Sequence, residues 1–66
     1  MTITVNGEQR SLEKSINLLE LLQTLDLPAA RVAVELNQNV VRRAAWGETF
    51  VRDNDKIEIV HFVGGG

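Results

Sequence analysis

Asn17 to Leu25 reads NLLELLQTL, a helix-period stripe of leucines set between segments that alternate apolar and polar residues, and this change of period most constrains the fold. Asn17 is a helix cap by residue type, and Glu20 stands three residues on, where its carboxylate reaches back to the cap's N–H. Leu18, Leu21, Leu22 and Leu25 follow the i, i+3, i+4, i+7 rule, Leu19 widens the stripe, and Glu20, Gln23 and Thr24 fall towards solvent. The segment is far shorter than the three or four heptads of a zipper, so the stripe is assigned to a core. Leu27-Pro28 closes it, because the residue before a proline is driven out of the helical region.

Upstream, Met1, Ile3 and Val5 share one face and Thr2 and Thr4 the other, the period of a half-buried strand. Asn6-Gly7 supplies the two positive-φ positions of a type I′ turn, so a second strand over Glu8 to Lys14 is predicted to pair back antiparallel. Downstream, Val32, Val34 and Leu36 alternate against Ala33, Glu35 and Asn37 as a third strand. Asn37 to Asn39 then makes a turn, Val40-Val41 a short extended piece, and RRAAW a single helical turn that tucks Trp46 against the body and ends at Gly47. A brief strand around Phe50, a tight turn at Asp53-Asn54-Asp55 and a final strand from Lys56 to Val63 complete the series.

The 66 residues allow one domain, predicted over residues 1–63, with 64–66 as a flexible glycine tail. A chain of this size buries only about 60% of the surface its unfolded form exposes, and the pocket of an enzyme, roughly 300 Å³ or more, would consume too much of so small a core. Binding or carrying is favoured over catalysis. The composition, 44% hydrophobic and 24% charged, is that of a soluble globular domain. A formal net charge of -2 offers no basic footprint for nucleic acid or anionic lipid. With no cysteine there is no disulfide, thiolate ligand or cysteine nucleophile, which fits a cytoplasmic setting. The start MTITVNGEQR lacks a basic region followed by an apolar run, and no apolar stretch approaches the about 18 residues of a membrane span.

Single features read mostly as structure. Asp53, Asn54 and Asp55 begin like a calcium loop, but Glu58 and Gly64 stand where its glycine and final glutamate belong, so they are assigned to a turn in which Asn54 takes positive φ. His61 is the only histidine, which leaves a metal cluster or a Ser/His/Asp triad without further histidine members; it is placed near the edge of the core. Arg42-Arg43 reads as a solvated face, with a phosphate or an acidic partner as the minority reading. Trp46, one of three aromatic residues, is assigned to the core rather than to a binding surface. In the last strand Ile57, Ile59 and His61 point one way and Glu58, Val60 and Phe62 the other. If the helix covers Ile57 and Ile59, Val60 and Phe62 form an apolar partner surface on the open side of the sheet, or a loop covers them.

The chain as given ends HFVGGG. Glycine has no Cβ and visits nearly all of backbone space, so a glycine end threads a channel too narrow for side chains and delivers an unhindered carboxylate. Attack of that carboxylate on the α-phosphate of ATP releases pyrophosphate and leaves an acyl-adenylate, from which a sulfur or amine nucleophile displaces AMP. Fraying, an engineered linker or a strand cap are the plainer readings of the same residues.

The element order resembles the ubiquitin-like β-grasp, an α+β fold with a mixed four- to five-stranded sheet packed on one main helix. Asn6-Gly7, NLLELLQTL, VAVELNQNVVRRAAW and VRDNDKIEIVHFVGGG together resemble the ThiS family of thiamine-pathway sulfur carriers over all 66 residues. Arg42 stands where that family often has proline, and Asn54 where it usually has glycine in an Asp-Gly-Asp turn. The resemblance implies that a ThiF-like adenylating enzyme, using Mg-ATP, activates the Gly66 carboxylate, that sulfur originating from a cysteine desulfurase makes it a thiocarboxylate, and that a thiazole synthase takes the sulfur. It matches Gly65 and Gly66 to the diglycine end, with Gly64 extending it, and Val60 with Phe62 to the apolar partner face. It implies a carrier with no catalytic residue, metal or bound cofactor of its own. Three alternatives stay open: a carrier for molybdopterin or another sulfur-containing product, a ubiquitin-like modifier that passes the acyl group to lysine, and a structural module with a passive tail.

Overall fold

The computed structural model describes residues 1–62. Its first unit is the hairpin of β1 (Thr2–Val5) and β2 (Glu8–Ser11), antiparallel with Val5 opposite Glu8. Asn6 and Gly7 turn it with φ of 49° and 83°, both left-handed as a type I′ turn requires. β2 stops at Ser11, short of the predicted Lys14. The chain bends there so that residues 15–18 can lie along 49–51: the Ser15 hydroxyl donates to the Val51 carbonyl at 2.6 Å, and Val51 N–H to that of Ile16 at 2.9 Å.

Helix α1 (Leu18–Thr24) opens on the predicted capping box, with the Glu20 N–H donating to Asn17 Oδ1 at 2.8 Å and the Asn17 N–H to Glu20 Oε1 at 3.1 Å. Leu18, Leu21 and Leu22 are buried, and Leu25 packs against them. Leu19 corrects the sequence reading: one residue past Leu18, and so about 100° around the helix from it, it is 39% exposed. The proline does not stop the helix either. Asp26, in the left-handed region at φ 59°, ends it through a Schellman motif in which Asp26 N–H meets the Gln23 carbonyl and Leu27 N–H the Leu22 carbonyl. Pro28 instead leads into a short 3-10 turn, Ala29–Arg31.

β3 (Val32–Leu36) and β4 (Asn39–Val41) form a second hairpin, turned by Asn37 and Gln38 at φ 51° and 73°. A 3-10 segment, Arg43–Glu48, follows, running through Gly47 rather than ending at it. It buries Trp46 to 2% exposure and lets its indole N–H donate to the Val41 carbonyl at 2.8 Å. The expected strand at Phe50 is one bridge to Asn17. β5 (Lys56–His61) then pairs parallel with β1 and antiparallel with β3, giving a mixed five-stranded sheet in the order β2-β1-β5-β3-β4. Ile3, Val5, Val32, Val34, Ile57 and Ile59 line one face, and α1 closes over them. The last of the described strands is therefore the central strand of the sheet.

Candidate functional site

β5 carries the chain to the glycines, and two devices hold its far end. On the β3 side the ladder continues to Val32 opposite His61, and Phe62 N–H donates to the Arg31 carbonyl at 3.0 Å. On the other side β1 stops at Val5, opposite Ile57, and turns away. Asn6 substitutes for the missing strand. Its Oδ1 accepts from Ile59 N–H at 2.7 Å and its Nδ2 donates to the Ile59 carbonyl at 3.0 Å, so the turn residue makes with its side chain the bonds a further β1 residue would make with its backbone.

The alternation of β5 settles which residues face outward. Ile57 and Ile59 are buried at 0% and 5% exposure, whereas Val60 and Phe62 are 55% and 49% exposed on the open side of the sheet. No described loop covers them. Val60 lies in register with Ala33, and Glu58 with Glu35, so an apolar row and a like-charged pair share this face. His61 is exposed rather than at the core edge, because β5 reaches past the end of β1 there. The positions 63–66, which include the expected tail residues Gly64, Gly65 and Gly66 and the end of the predicted strand, lie outside the described residues.

Asp53, Asn54 and Asp55 close a turn with Asn54 at φ 72°. Their carboxylates serve the backbone: Asp53 Oδ1 accepts from Thr2 N–H at 2.7 Å and Asp55 Oδ2 from Arg52 N–H at 2.7 Å, while Asp55 Oδ1 accepts from Asn37 Nδ2 at 3.0 Å. A shallow, open groove of about 400 Å³ beside Leu36, Phe50, Arg52 and Asp55 lies at the start of β5, the opposite end from Phe62; it exceeds the pocket volume expected of so small a core because it is a surface depression lined outside the buried core. Among the described residues no three His, Cys, Asp or Glu side chains converge on a metal position, and no helix is long and apolar enough to cross a membrane.

Sequence reading missed the Asn6 clamp and the contact of Arg31 with Phe62. Asn6 carried a signal, but a local one, since its type and place announce a turn; its reach to Ile59, 53 residues away, depends on which strand lands beside β1.

The ThiS family model matches residues 3–66. The chain is 32% identical over 66 residues to the sulfur carrier protein ThiS of Escherichia coli (strain K12), covering 100% of both. It is 39% identical over 66 residues to a thiazole synthase of Paramagnetospirillum magneticum, of whose length it spans 20%. The crystal structure of the thiamine biosynthesis protein ThiS from Geobacter metallireducens matches it with a TM-score of 0.88 at 42% identity, covering 100% of each chain. With the clamped central strand, the capped helix and the glycines all inside one family match, the chain belongs to the ThiS family.

Proposed function

We propose that this chain is a sulfur carrier for thiazole formation in thiamine biosynthesis, acting in the cytoplasm as a co-substrate of other enzymes rather than as a catalyst. The observation that supports it most is the family match, which runs through the glycines to residue 66 on a chain that aligns end to end with a sulfur carrier. In this reading a carboxylate oxygen of Gly66 attacks the α-phosphate of ATP held with Mg²⁺ by a ThiF-like adenylating enzyme, and pyrophosphate leaves. The outer sulfur of a persulfide made by a cysteine desulfurase then attacks the acyl carbon and displaces AMP, and a thiol reduces the resulting acyl disulfide to release a thiocarboxylate, from which a thiazole synthase takes the sulfur. Gly64 and Gly65 keep the approach free of side chains, and the exposed Val60 and Phe62 give the partner an apolar footing beside it.

The chemistry requires a free carboxylate at a set distance from the body. One alanine appended after Gly66 moves that carboxylate by about 3.5 Å, and in a positioned site an error of about 1 Å is worth on the order of a hundredfold in rate. Pyrophosphate release with ATP and the adenylating enzyme is expected to nearly vanish while the melting temperature holds. Adenylation of the extended chain at the native rate would show that the terminal carboxylate is not the reacting group.

A further inference from the structure

Arg31 and Arg43 come together at the end of the sheet where β5 finishes, and Arg42 adjoins Arg43 in the chain. The Arg31 carbonyl receives the Phe62 N–H, and Arg43 reaches back with Nη2 to the neighbouring Ala30 carbonyl at 3.4 Å. The Arg43 guanidinium also lies over the Trp46 ring, 5.6 Å from its centroid, within cation–π range. Arg42 precedes it at the start of the same 3-10 segment. All three side chains are exposed, and among the described residues none is paired with a carboxylate, Arg10 with Glu8 being the ion pair there. On a chain of net charge -2 this corner is a positive patch on an acidic body.

We propose that this corner docks against an acidic rim on the adenylating enzyme that receives the glycine tail. The inference rests on the sulfur-carrier reading. Extended at about 3.5 Å per residue, positions 63–66 reach at most roughly 14 Å from Phe62, so a site that holds Gly66 brings its entrance against the residues around Phe62, and Arg31 and its neighbours are among them. A planar guanidinium matches a carboxylate fork, and Arg43, already fixed by Trp46 and Ala30, loses less freedom on pairing. Because the three side chains are exposed, a small anion bound there would stay mostly in water, whereas an acidic protein surface covers them together. Rim charges of this kind act on encounter and orientation more than on residence time. They turn the body so that the tail enters first.

The test compares association with the adenylating enzyme, by stopped flow at low and physiological salt, for R31E/R42E and for R52E/K56E, the same charge change at the start of β5. R31E/R42E is expected to slow association by about tenfold or more at low salt, with the difference shrinking as salt screens it, while R52E/K56E stays within about twofold of the native chain. Melting curves check the fold, and R31Q/R42Q, expected to slow association less than R31E/R42E, replaces a variant that melts early. Equal slowing by both pairs, or none by R31E/R42E, overturns the proposal. So does a shift of the Arg31 and Arg42 amide resonances by inorganic phosphate alone, which would mark a small-anion site. If the native chain yields no pyrophosphate with the enzyme, the carrier reading fails and takes this one with it; normal release with insensitive association overturns the rim alone.

Discussion

Replacing Asn6 tests whether a turn residue fixes the central strand. Asn6 does two separable things: it holds φ at 49°, and its amide pins both backbone groups of Ile59, at 2.7 and 3.0 Å, in a part-buried setting. Asn6→Gly keeps the backbone conformation and removes the amide. At about 1 kcal/mol net for each hydrogen bond, the loss is about 2 kcal/mol. Asn6→Ala removes the same bonds and also forces a Cβ into the left-handed region, adding about 1 kcal/mol. A folded chain of this size has only on the order of 5 kcal/mol in hand, so both variants remain folded but weakened. With a urea slope of about 1 kcal/mol/M, the unfolding midpoint drops by about 2 M for glycine and about 3 M for alanine. Trp46, 2% exposed, is the fluorescence probe. Amide exchange supplies the local readout: Ile59, whose N–H depends on Asn6, accelerates more than Ile57, which sits where β1 still pairs. A glycine variant within about 0.5 kcal/mol of the native chain, the range of an ordinary surface change, would refute the clamp. Equal losses for the two variants would refute the backbone contribution.

Other substitutions probe the open sheet face, the helix end and the β3–β5 pair. Phe62→Ala, at a side chain 49% exposed, is expected to change stability by under about 1 kcal/mol while weakening the adenylating partner's binding by about 2 kcal/mol, near thirtyfold, if the ring anchors the contact; titration calorimetry and melting on one sample separate the two. Asp26→Gly relieves a left-handed non-glycine residue and removes a negative charge at the helix C-terminus, so it is expected to stabilise by about 1 kcal/mol in urea unfolding. Glu58→Lys exchanges the like-charged register pair with Glu35 for an attractive one and is expected to stabilise by about 0.5 kcal/mol, less at high salt.

What the sequence made legible follows the range of the interactions. The Asn6-Gly7 turn, the Asn17 capping box and the alternation of Val32, Val34 and Leu36 are determined within a few residues, and each appears as read. The alternation of Ile57 and Ile59 against Val60 and Phe62 gave two faces, but only the position of α1 decided which was open. Leu19 was misplaced because hydrophobicity marks a candidate for burial, while the angle around the helix decides it. The helix stop was misplaced because Asp26 takes a conformation usually signalled by glycine. The Arg31 contact with Phe62 and the Asn6 clamp arise from the crossing of distant strands, which no local pattern encodes.

Gly66 is the residue proposed to carry the sulfur, and the intact mass of the chain reads this out without an intermediary. After incubation with ATP, Mg²⁺, the adenylating enzyme, a cysteine desulfurase, cysteine and a thiol reductant, the expected change is a gain equal to one sulfur minus one oxygen, located by fragmentation at Gly66 and reversed when thiazole synthase and its substrates are added. An unchanged mass under conditions that load an authentic carrier, or a gain located anywhere else in the chain, would contradict it.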